Sequence, residues 1–433
     1  MKKTKFKQTE IGMIPEDWNT APLSKLADVI DPHPSHRAPK IVSEGFPFAG
    51  IGDISEDGSI RVDKCRQIGE GFVKQQEKSY TINENSIGYG RVGTVGKVVK
   101  LRKQLYRYAL SPTLAVIQPL RKKDGKFIHC VVREPSFFSR VTQQMTGTTR
   151  PAIGIQLLRK ISIPLPSEEE REAIAKVLSD LDSKIELSRR MNKTLEAIGQ
   201  AIFKHWFVDF EFPNEQGKPY KSSGGAMMES ELGEIPKEWD VNQIRNILKT
   251  VLGGTPDRTK KEFWDGNIPW INSGKVNEFR IIEPTEYITE KGLNKSATEL
   301  LPKRTTVIAI TGATLGQVSL LEINSCANQS VIGILESDNI KSEYIYFWIK
   351  QTIEKIISCQ TGGAQQHINK TNVSDSLILI PESKVLGKYI LTTKNIFNHI
   401  TLNCVEELTL AQIRDALLPK LMSGQIRVPR GIE

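Results

Sequence analysis

The chain has 433 residues and a formal net charge of +9, and its 39% hydrophobic and 25% charged residues are the proportions of an ordinary globular protein. No stretch approaches the roughly 20 apolar residues of a membrane-spanning helix, and no apolar run of the signal-peptide kind follows the basic residues 1–7. The five cysteines never show a Cys-x-x-Cys spacing, so we expect free thiols and a cytoplasmic location. The excess positive charge lies in residues 1–166, which favours a polyanionic partner.

The chain contains a long internal repeat. The motif Gly-x-Ile-Pro-x-x-Trp occurs at residues 12–18 and again at residues 233–239. Glycine-rich residues 86–98 align with residues 306–318, and the segment ending in Pro166 aligns with the one ending in Pro381. The matches keep the same order in both halves, so the sequence indicates a tandem duplication.

Each copy is predicted to begin with the Gly-x-Ile-Pro-x-x-Trp turn and to continue with short β-type runs. These runs are residues 92–99 and 113–117 in the first copy and residues 305–310 and 331–335 in the second. One long helix then closes each copy. Because runs broken by glycines alternate with helical patterns, each copy is predicted to be a mixed, β-rich domain followed by a helix.

The two long helices have the clearest pattern. Ser167 and Glu170 form a capping box, and apolar residues recur at helical spacing from Ile174 to Trp206. The second helix is expected from about residue 383 to residue 421, although its start lacks the acid cluster of residues 168–172.

Both helices turn polar midway, and the polar residues are Ser188 and Asn192 in the first and Asn403 and Glu407 in the second. Antiparallel packing would bring the two polar centres together and fix the register. The alternative is that each helix is buried on its own domain.

The predicted fold class is therefore α+β, a tandem duplication of a mixed, β-rich domain plus one long helix. The two helices are expected to pack as an antiparallel coiled coil with pseudo-two-fold symmetry. The predicted segments are domain 1 (1–166), long helix 1 (167–210), a linker (211–229), domain 2 (230–381), and long helix 2 with a tail (382–433).

Several motifs suggest an enzyme but lack their supporting residues. Residues 48–52 match a turn that holds S-adenosylmethionine, but no methyltransferase catalytic motif accompanies them. Residues 88–93 match Gly-x-Gly-x-x-Gly, but a β-type run follows, so a glycine-rich hairpin is the better interpretation. Asp257 and Glu382 are too far apart in sequence for one nuclease site, and His33 and His36 are expected in a surface loop rather than at zinc.

Over nearly its whole length the chain resembles the specificity subunit of type I restriction–modification enzymes. The matching fragments are the two Gly-x-Ile-Pro-x-x-Trp openings, residues 254–256 and 268–274, residues 146–151, residues 163–166 and 181–186, residues 202–210, and residues 417–426. Each fragment is weak alone, and together they occur in the family's order.

The resemblance implies two target-recognition domains that read a bipartite, asymmetric site on double-stranded DNA. It also implies assembly with two methyltransferase subunits and two motor-nuclease subunits. S-adenosylmethionine, ATP and Mg²⁺ would belong to those partners, and this chain would carry no cofactor, no metal and no catalytic residue of its own.

DNA reading requires cations on phosphates and hydrogen-bonding side chains at base edges. In the first domain the candidates are Lys64, Arg66, Arg91, Thr94, Lys97, Arg102, Lys103, Arg107, Thr148, Thr149 and Arg150. Most are expected on phosphates, with Arg91 and Arg150 as base readers. Further lysines and arginines at residues 100 and 121–126 add to this basic surface, for which simple solvation is the alternative.

In the second domain the candidates are Asn272, Ser273, Lys275, Thr311, Thr314, Gln329, Gln365, Gln366 and His367. Amide side chains suit the N6/N7 edge of adenine. Gln365 aligns with Arg150, so equivalent loops would carry different readers, as an asymmetric target requires. Two other functions remain as alternatives, a stand-alone DNA methyltransferase or nuclease and a scaffold that binds only proteins.

Overall fold

The computed structural model describes residues 4–33, 39–55, 57–147, 151–358 and 368–428. The chain divides into two units by its internal contacts. Unit 1 comprises Met1–Glu186 and Thr409–Glu433, and unit 2 comprises Leu187–Leu408.

Unit 1 contains the first copy of the repeat. Its strands are β1 (Phe6–Thr9), β2 (Gly12–Pro15), β3 (Asn19–Pro22), β4 (Ala27–Ile30), β5 (Ile41–Ala49), β6 (Arg66–Ile68), β7 (Ile87–Gly90), β8 (Val98–Lys100), β9 (Ala109–Leu110), β10 (Leu114–Pro119) and β11 (Ser162–Leu165). Its helices are α1 (Glu70–Ser79), α2 (Gly125–Arg133), α3 (Pro135–Gln143), α4 (Ile155–Lys160) and the first half of α5 (Glu168–Phe207).

Unit 2 repeats this plan. Its strands are β12 (Met227–Ser230), β13 (Gly233–Pro236), β14 (Asp240–Gln243), β15 (Thr250–Leu252), β16 (Trp264–Ile271), β17 (Glu286–Ile288), β18 (Thr306–Ala309), β19 (Val318–Leu320), β20 (Cys326–Ala327), β21 (Val331–Ile334) and β22 (Leu377–Ile380). Its helices are α6 (Ile244–Ile247), α7 (Glu290–Asn294), α8 (Ser342–Ser358), α9 (Lys370–Asp375) and the first part of α10 (Ser383–Met422).

The sheets confirm the tandem duplication. The four-stranded sheet β4-β10-β7-β8 of unit 1 corresponds to β15-β21-β18-β19 of unit 2, and all pairings in both are antiparallel. The three-stranded sheet β6-β5-β9 corresponds to β17-β16-β20, and each combines one antiparallel and one parallel pair. The fold class predicted from sequence is thereby confirmed as α+β with a duplicated domain.

The core of each unit lies between its four-stranded sheet and the helices that cover it. In unit 1 the fully buried rings are Trp18, Tyr89, Phe127 and Phe137. Unit 2 has a larger aromatic cluster that includes Phe203 of α5, Tyr344 and Phe347 of α8, and Tyr389 of α10. Burying each such ring contributes roughly 1.5–3 kcal/mol, so the cluster of unit 2 attaches α5 and α10 firmly to α8.

The long helices begin and end close to where the sequence predicts. The Oγ of Ser167 accepts a hydrogen bond from the backbone N–H of Glu170, and three glutamates in the first turn of α5 complement the helix dipole. Helix α10 contains Pro419 near its end, and Gly424 beyond it has a positive φ of 70°. A Cβ at Gly424 would lie 2.4 Å from the Pro15 side chain, so only glycine fits there.

Within each unit, α5 and α10 are in contact. In unit 2 the Nδ2 of Asn403 donates to the Oδ1 of Asn192 at 2.9 Å, and the Nε of Arg189 donates to Glu407 at 2.6 Å. Asn192 follows Arg189 along α5, whereas its partner Asn403 precedes Glu407 along α10, so the two helices run antiparallel here. The predicted pairing of polar centres is confirmed for Asn192 and Asn403, whereas knobs-into-holes coiled-coil packing remains a prediction.

Two connecting segments are anchored at equivalent places. In unit 1 the Arg427 guanidinium binds the carboxylates of both Asp17 and Glu170, and the Trp18 indole N–H donates to Glu170 at 2.9 Å. In unit 2, residues 211–229, predicted as a linker, pack their Phe212 ring against Trp239. The Gly-x-Ile-Pro-x-x-Trp tryptophan is thus the anchor in both copies.

Two local predictions differ from the structure. Residues 92–97, expected within a strand, form the turn between β7 and β8, because Gly93 and Gly96 adopt positive φ angles of 75° and 90°. His33, expected in a surface loop, is 1% exposed and lies against the Phe72 ring. His36 lies outside the described residues.

Candidate nucleic-acid interface

One end of each four-stranded sheet gathers the loops that carry many of the predicted DNA-binding residues. In unit 1, β4 and β7 end there and β8 and β10 begin there, according to their register. We name residues 31–33, 49–53, 91–97 and 111–113 loop cluster 1. The equivalent loops of unit 2, residues 253–258, 272–275, 311–317 and 328–330, are loop cluster 2.

Loop cluster 1 is held together by its own cations. The Nη2 of Arg91 lies 2.9 Å from the Oδ2 of Asp31, and these side chains are only 12% and 16% exposed. The Nζ of Lys97 donates to the backbone oxygens of Ile51 and Ile54, both at 2.9 Å. Arg91 and Lys97 therefore tie neighbouring loops to one another, and a base contact by Arg91 would require its pair with Asp31 to open.

Close backbone approach fixes the turn of loop cluster 1. A Cβ at Gly90 would lie 2.1 Å from the carbonyl oxygen of Thr94, so a side chain at residue 90 would push the turn open. Thr94 at the tip is exposed. The backbone N–H of Gly93 donates to the carbonyl of Pro151 at 3.0 Å, which brings the segment after residues 148–150 to the same place.

Two further cations lie at this end of unit 1. Arg66 begins β6 and stands opposite Phe48 near the end of β5, and Lys64 precedes it in the chain. Both side chains are exposed, and neither has an acidic partner in the part of the chain that the structure describes. They lie beside loop cluster 1 and are the cations at this end of unit 1 best placed to meet a phosphate.

The structure separates the remaining basic candidates of unit 1 from loop cluster 1. Arg102, Lys103 and Arg107 follow β8, whose last residue lies at the opposite end of the sheet. Arg107 forms ion pairs with Glu70 and Glu77, both at 2.7 Å. These cations follow Arg91 and Lys97 in the same basic stretch of sequence, but the chain crosses the sheet between the two groups, so they lie at opposite ends of it.

Arg102 instead faces the long helix. Its Nη2 lies 2.8 Å from Glu186 of α5, and the Nζ of Lys100 lies 3.3 Å from the same carboxylate. The basic segment 121–126 is similar, since Arg121 pairs with both Asp124 and Glu168. Much of the positive charge that sequence reasoning assigned to DNA is neutralised within unit 1.

Loop cluster 2 presents neutral hydrogen-bonding groups. The side-chain oxygen of Asn272 accepts from the backbone N–H of Gly274 at 2.9 Å and caps the turn that contains Ser273 and Lys275. Lys275 pairs with Glu278 at 2.7 Å. The Oδ1 of Asn272 is thus used internally, which leaves its amide N–H groups for a ligand.

The other candidates of unit 2 complete this cluster. Thr311 and Thr314 lie on the turn after β18, and the exposed Gln329 accepts a hydrogen bond from Thr255. A Cβ at Gly253 would lie 2.2 Å from the backbone oxygen of Asn328, so glycine permits the two loops to touch.

Six candidates cannot be placed, because Thr148, Thr149, Arg150, Gln365, Gln366 and His367 lie outside the described residues. The residue after the second of these segments, Ile368, donates its N–H to the carbonyl of Ile310 at 3.1 Å. That bond is the counterpart of the one from Ile153 to Arg91 at 2.9 Å in unit 1. Ile153 and Ile368, the described residues that follow these segments, therefore lie next to the loop clusters, as their alignment predicts.

Sequence reasoning missed Arg258. Its guanidinium lies 3.7 Å from the Trp264 ring centroid and 5.0 Å from that of Trp270, and it pairs with Glu286 at 2.7 Å. The side chain is 51% exposed beside Gly254 and Thr255 in loop cluster 2. The residues next to Arg258 in the chain do not indicate this stacking, because its aromatic partners Trp264 and Trp270 come later in the sequence.

A groove of about 650 Å³ lies elsewhere in unit 1 and brings His129, Cys130 and Asp182 together. Burial raises the pKa of Cys130 to about 12, and burial together with Arg133 lowers the pKa of His129 to about 3. The thiol therefore stays protonated, and Asp182 is bound by Arg133 and Arg414. These states do not suit a cysteine nucleophile, which must ionise to react.

Other chemistry finds little support in the described ranges. They contain no group of three or more His, Cys, Asp or Glu side chains arranged to hold a metal ion. Cys65, Cys130, Cys326 and Cys404 are free and buried, as the prediction of reduced thiols requires. No helix in these ranges has both the length and the apolar character needed to cross a bilayer.

Comparison with known proteins identifies the family. Residues 15–197 and 236–401 each match the type I restriction modification DNA specificity domain. The chain is 26% identical over 98% of its length to the Methanocaldococcus jannaschii type I restriction enzyme MjaIX specificity subunit, of which 97% is covered. It is also 24% identical to the Haemophilus influenzae HindI specificity subunit, over 76% of this chain and 84% of that one.

A solved structure supports the fold. The type I restriction–modification S subunit from M. genitalium superposes with a TM-score of 0.55 at 17% identity, covering 97% of this chain and 98% of that one. The two domain matches cover most of the chain and coincide with the two copies of the repeat. The chain therefore belongs to the family of type I restriction–modification DNA specificity subunits.

Proposed function

We propose that this chain reads a bipartite, asymmetric DNA site, with loop cluster 1 on one half and loop cluster 2 on the other. One observation carries the proposal. Both units place the same set of loops at the same end of the same sheet, yet equivalent positions carry different side chains, such as Lys97 in one and Gln317 in the other. A shared scaffold with different readers is what two unlike half-sites require.

The two loop clusters would use different contacts. Lys64 and Arg66, beside loop cluster 1, would contact phosphates, whereas loop cluster 2 offers the amides of Asn272 and Gln329 to base edges. Arg258 adds one stacked and half-exposed cation to loop cluster 2. The affinity of unit 1 for its half-site is therefore expected to depend more strongly on salt concentration than the affinity of unit 2 for the other half-site.

The chain is proposed to act without catalysis of its own. In this proposal two methyltransferase subunits bring S-adenosylmethionine, and two motor-nuclease subunits bring ATP and Mg²⁺. The protonated thiol of Cys130 and the neutral His129 favour this assignment over a stand-alone enzyme. The buried free thiols suit a reducing compartment, so we place the assembly in the cytoplasm.

Sequencing of DNA methylation tests this function. The chain is expressed with and without a cognate methyltransferase subunit in a host that lacks other DNA methylation. We expect one interrupted, asymmetric motif when both subunits are present and no methylation from either alone. Methylation by this chain alone would favour the enzyme alternative, and unchanged DNA with a stable protein complex would favour the protein-only scaffold.

Paired substitutions test which cations touch DNA. Lys64→Ala with Arg66→Ala should lower the slope of log affinity against log salt by about 1.8, since each lost phosphate contact contributes about 0.9. Lys103→Ala is the matched control, because Lys103 is equally exposed but lies beyond β8 at the other end of the sheet. Equal effects of both changes would contradict the assignment of the reading end.

A further inference from the structure

A buried ion cluster fastens the second recognition fold to helix α5 within unit 2. The carboxylate of Glu196 accepts from the Nη2 of Arg280 at 3.1 Å, from the hydroxyl of Tyr346 at 2.7 Å, and from the Nζ of Lys350 at 2.8 Å. The Arg280 side chain is 0% exposed and that of Glu196 is 11% exposed. Three donors from two separate segments of the recognition fold thus converge on one helix residue.

The environment of Arg280 is shaped for a cation. Its guanidinium carbon lies 4.5 Å from the ring centroids of both Phe279 and Tyr346 and 5.4 Å from that of Phe397 on α10. The Nη1 also donates to the backbone oxygen of Phe279 at 2.8 Å. The bonds and rings hold the guanidinium from several directions, so its place relative to α5 and α10 is closely defined.

Stability alone does not account for this cluster. Removing charges from water is costly, and apolar side chains of similar volume often stabilise a protein as well or better than a buried ion pair. In some proteins, however, buried ionic groups favour one geometry over its neighbours, because a small shift leaves a charge without its partner. If the cluster orients the recognition fold on α5, the use of charged residues is explained, because apolar packing would have been sufficient for stability.

The first copy of the repeat uses a different device. In unit 1, Glu186 of α5 accepts from Lys100 and Arg102 of the recognition fold. By the repeat, the counterparts of Arg102 and Glu186 are Glu322 and Thr401, and the Oγ1 of Thr401 donates to Glu322 at 2.7 Å. The carboxylate is Glu186 on the helix in the first copy and Glu322 on the recognition fold in the second. Each recognition fold is therefore complementary to its own helix segment.

We propose that Glu196 and Arg280 are positioning residues that set the orientation of the second recognition fold on α5 and thereby the gap between the two half-sites. This inference rests on the proposed function. It assigns the gap to the attachment of the fold as well as to the helices. It also separates the choice of gap from the choice of bases, since neither residue belongs to a loop cluster.

The test measures methylation by the complete complex on DNAs that carry both half-sites at a graded series of gaps. Wild type should prefer one gap. Glu196→Gln and Arg280→Met should reduce that preference about tenfold, equivalent to roughly 1.4 kcal/mol, by admitting gaps one base pair longer or shorter. Base preferences within each half-site should not change.

Controls separate positioning from folding. Glu354→Gln and Arg245→Met change exposed residues of unit 2, the second of which pairs at the surface with Asp375. Both variants should keep the wild-type gap. The double variant Glu196→Met with Arg280→Met should regain thermal stability through apolar packing. It should still methylate DNAs whose gap is one base pair longer or shorter.

The outcomes distinguish this inference from the proposed function. If the wild-type complex methylates no interrupted site, the proposed function fails whatever the variants do. If wild type prefers one gap and folded Glu196→Gln keeps the same preference, the positioning inference alone is overturned. A double variant that recovers both stability and the wild-type gap would also overturn it.

Discussion

Asp182 neutralises two arginines at once, so its replacement by asparagine should destabilise unit 1. The Oδ2 of Asp182 lies 2.7 Å from Arg133 of α2, and its Oδ1 lies 2.9 Å from Arg414 of α10. The Asp182, Arg133 and Arg414 side chains are 14%, 23% and 15% exposed. Asp182→Asn keeps the shape and leaves both guanidinium groups poorly compensated.

The expected cost follows from this burial. Removing one partner of a fully buried pair costs about 3–5 kcal/mol. Here the arginines keep some contact with water and Arg414 retains a second partner in Asp415, so we expect about 2–3 kcal/mol. For a unit of this size that corresponds to a melting temperature lower by roughly 4–12 °C. Differential scanning calorimetry measures it, with Asp180→Asn, an exposed acid on the same helix, as the control.

The effect should depend on pH in a defined direction. Burial alone raises the pKa of Asp182, but Arg133 and the hydrogen bond from Arg414 outweigh it and hold the pKa below its ordinary value of 3.8. The stabilisation is therefore complete above that value and is lost as the pH falls through the pKa of the folded state. Wild type and Asp182→Asn should converge at low pH, and a difference that is independent of pH would refute the reasoning.

Three further substitutions test other parts of the structure. Arg427→Met removes the cation bound to Asp17 and to the buried Glu170. It should lower the unfolding free energy of unit 1, measured by chemical denaturation, by about 2 kcal/mol. An effect below about 0.5 kcal/mol would mean that the tail is not anchored there. Gln329→Ala should reduce discrimination between bases at one position of one half-site by about 1–3 kcal/mol. Binding to single-base variants of the target measures this change. Uniform weakening at all positions would instead indicate a phosphate contact. Asn192→Val leaves the Asn403 amide without its partner and should cost about 1–3 kcal/mol in thermal unfolding, while a neutral result would show that the polar centre is dispensable.

Sequence patterns were sufficient for features that depend on local chemistry. Capping, apolar periodicity and the repeat placed the long helices within a few residues of α5 and α10, because helix ends and apolar faces are determined by neighbours in the chain. The same reasoning anticipated the contact of Asn192 with Asn403. It also placed the glycine-rich hairpin of β7 and β8.

Features that depend on distant partners could not be predicted in this way. Arg91, Arg102 and Arg107 all occur in one basic stretch, but their acids Asp31, Glu186 and Glu70 are far away in sequence. A count of charges therefore overestimated the cations free for DNA. The turn at residues 92–97 was mistaken for strand because its β-branched residues have strand propensity, whereas its glycines set the backbone.

The most direct test of two separate reading ends is a map of methylated motifs for variants of each loop cluster in the complete complex. Arg91→Ala with Thr94→Ala should alter tolerance only in one half of the interrupted motif, and Gln329→Ala with Asn272→Ala only in the other half. Changes in the same half from both pairs, or one uninterrupted motif, would contradict the assignment of one half-site to each unit.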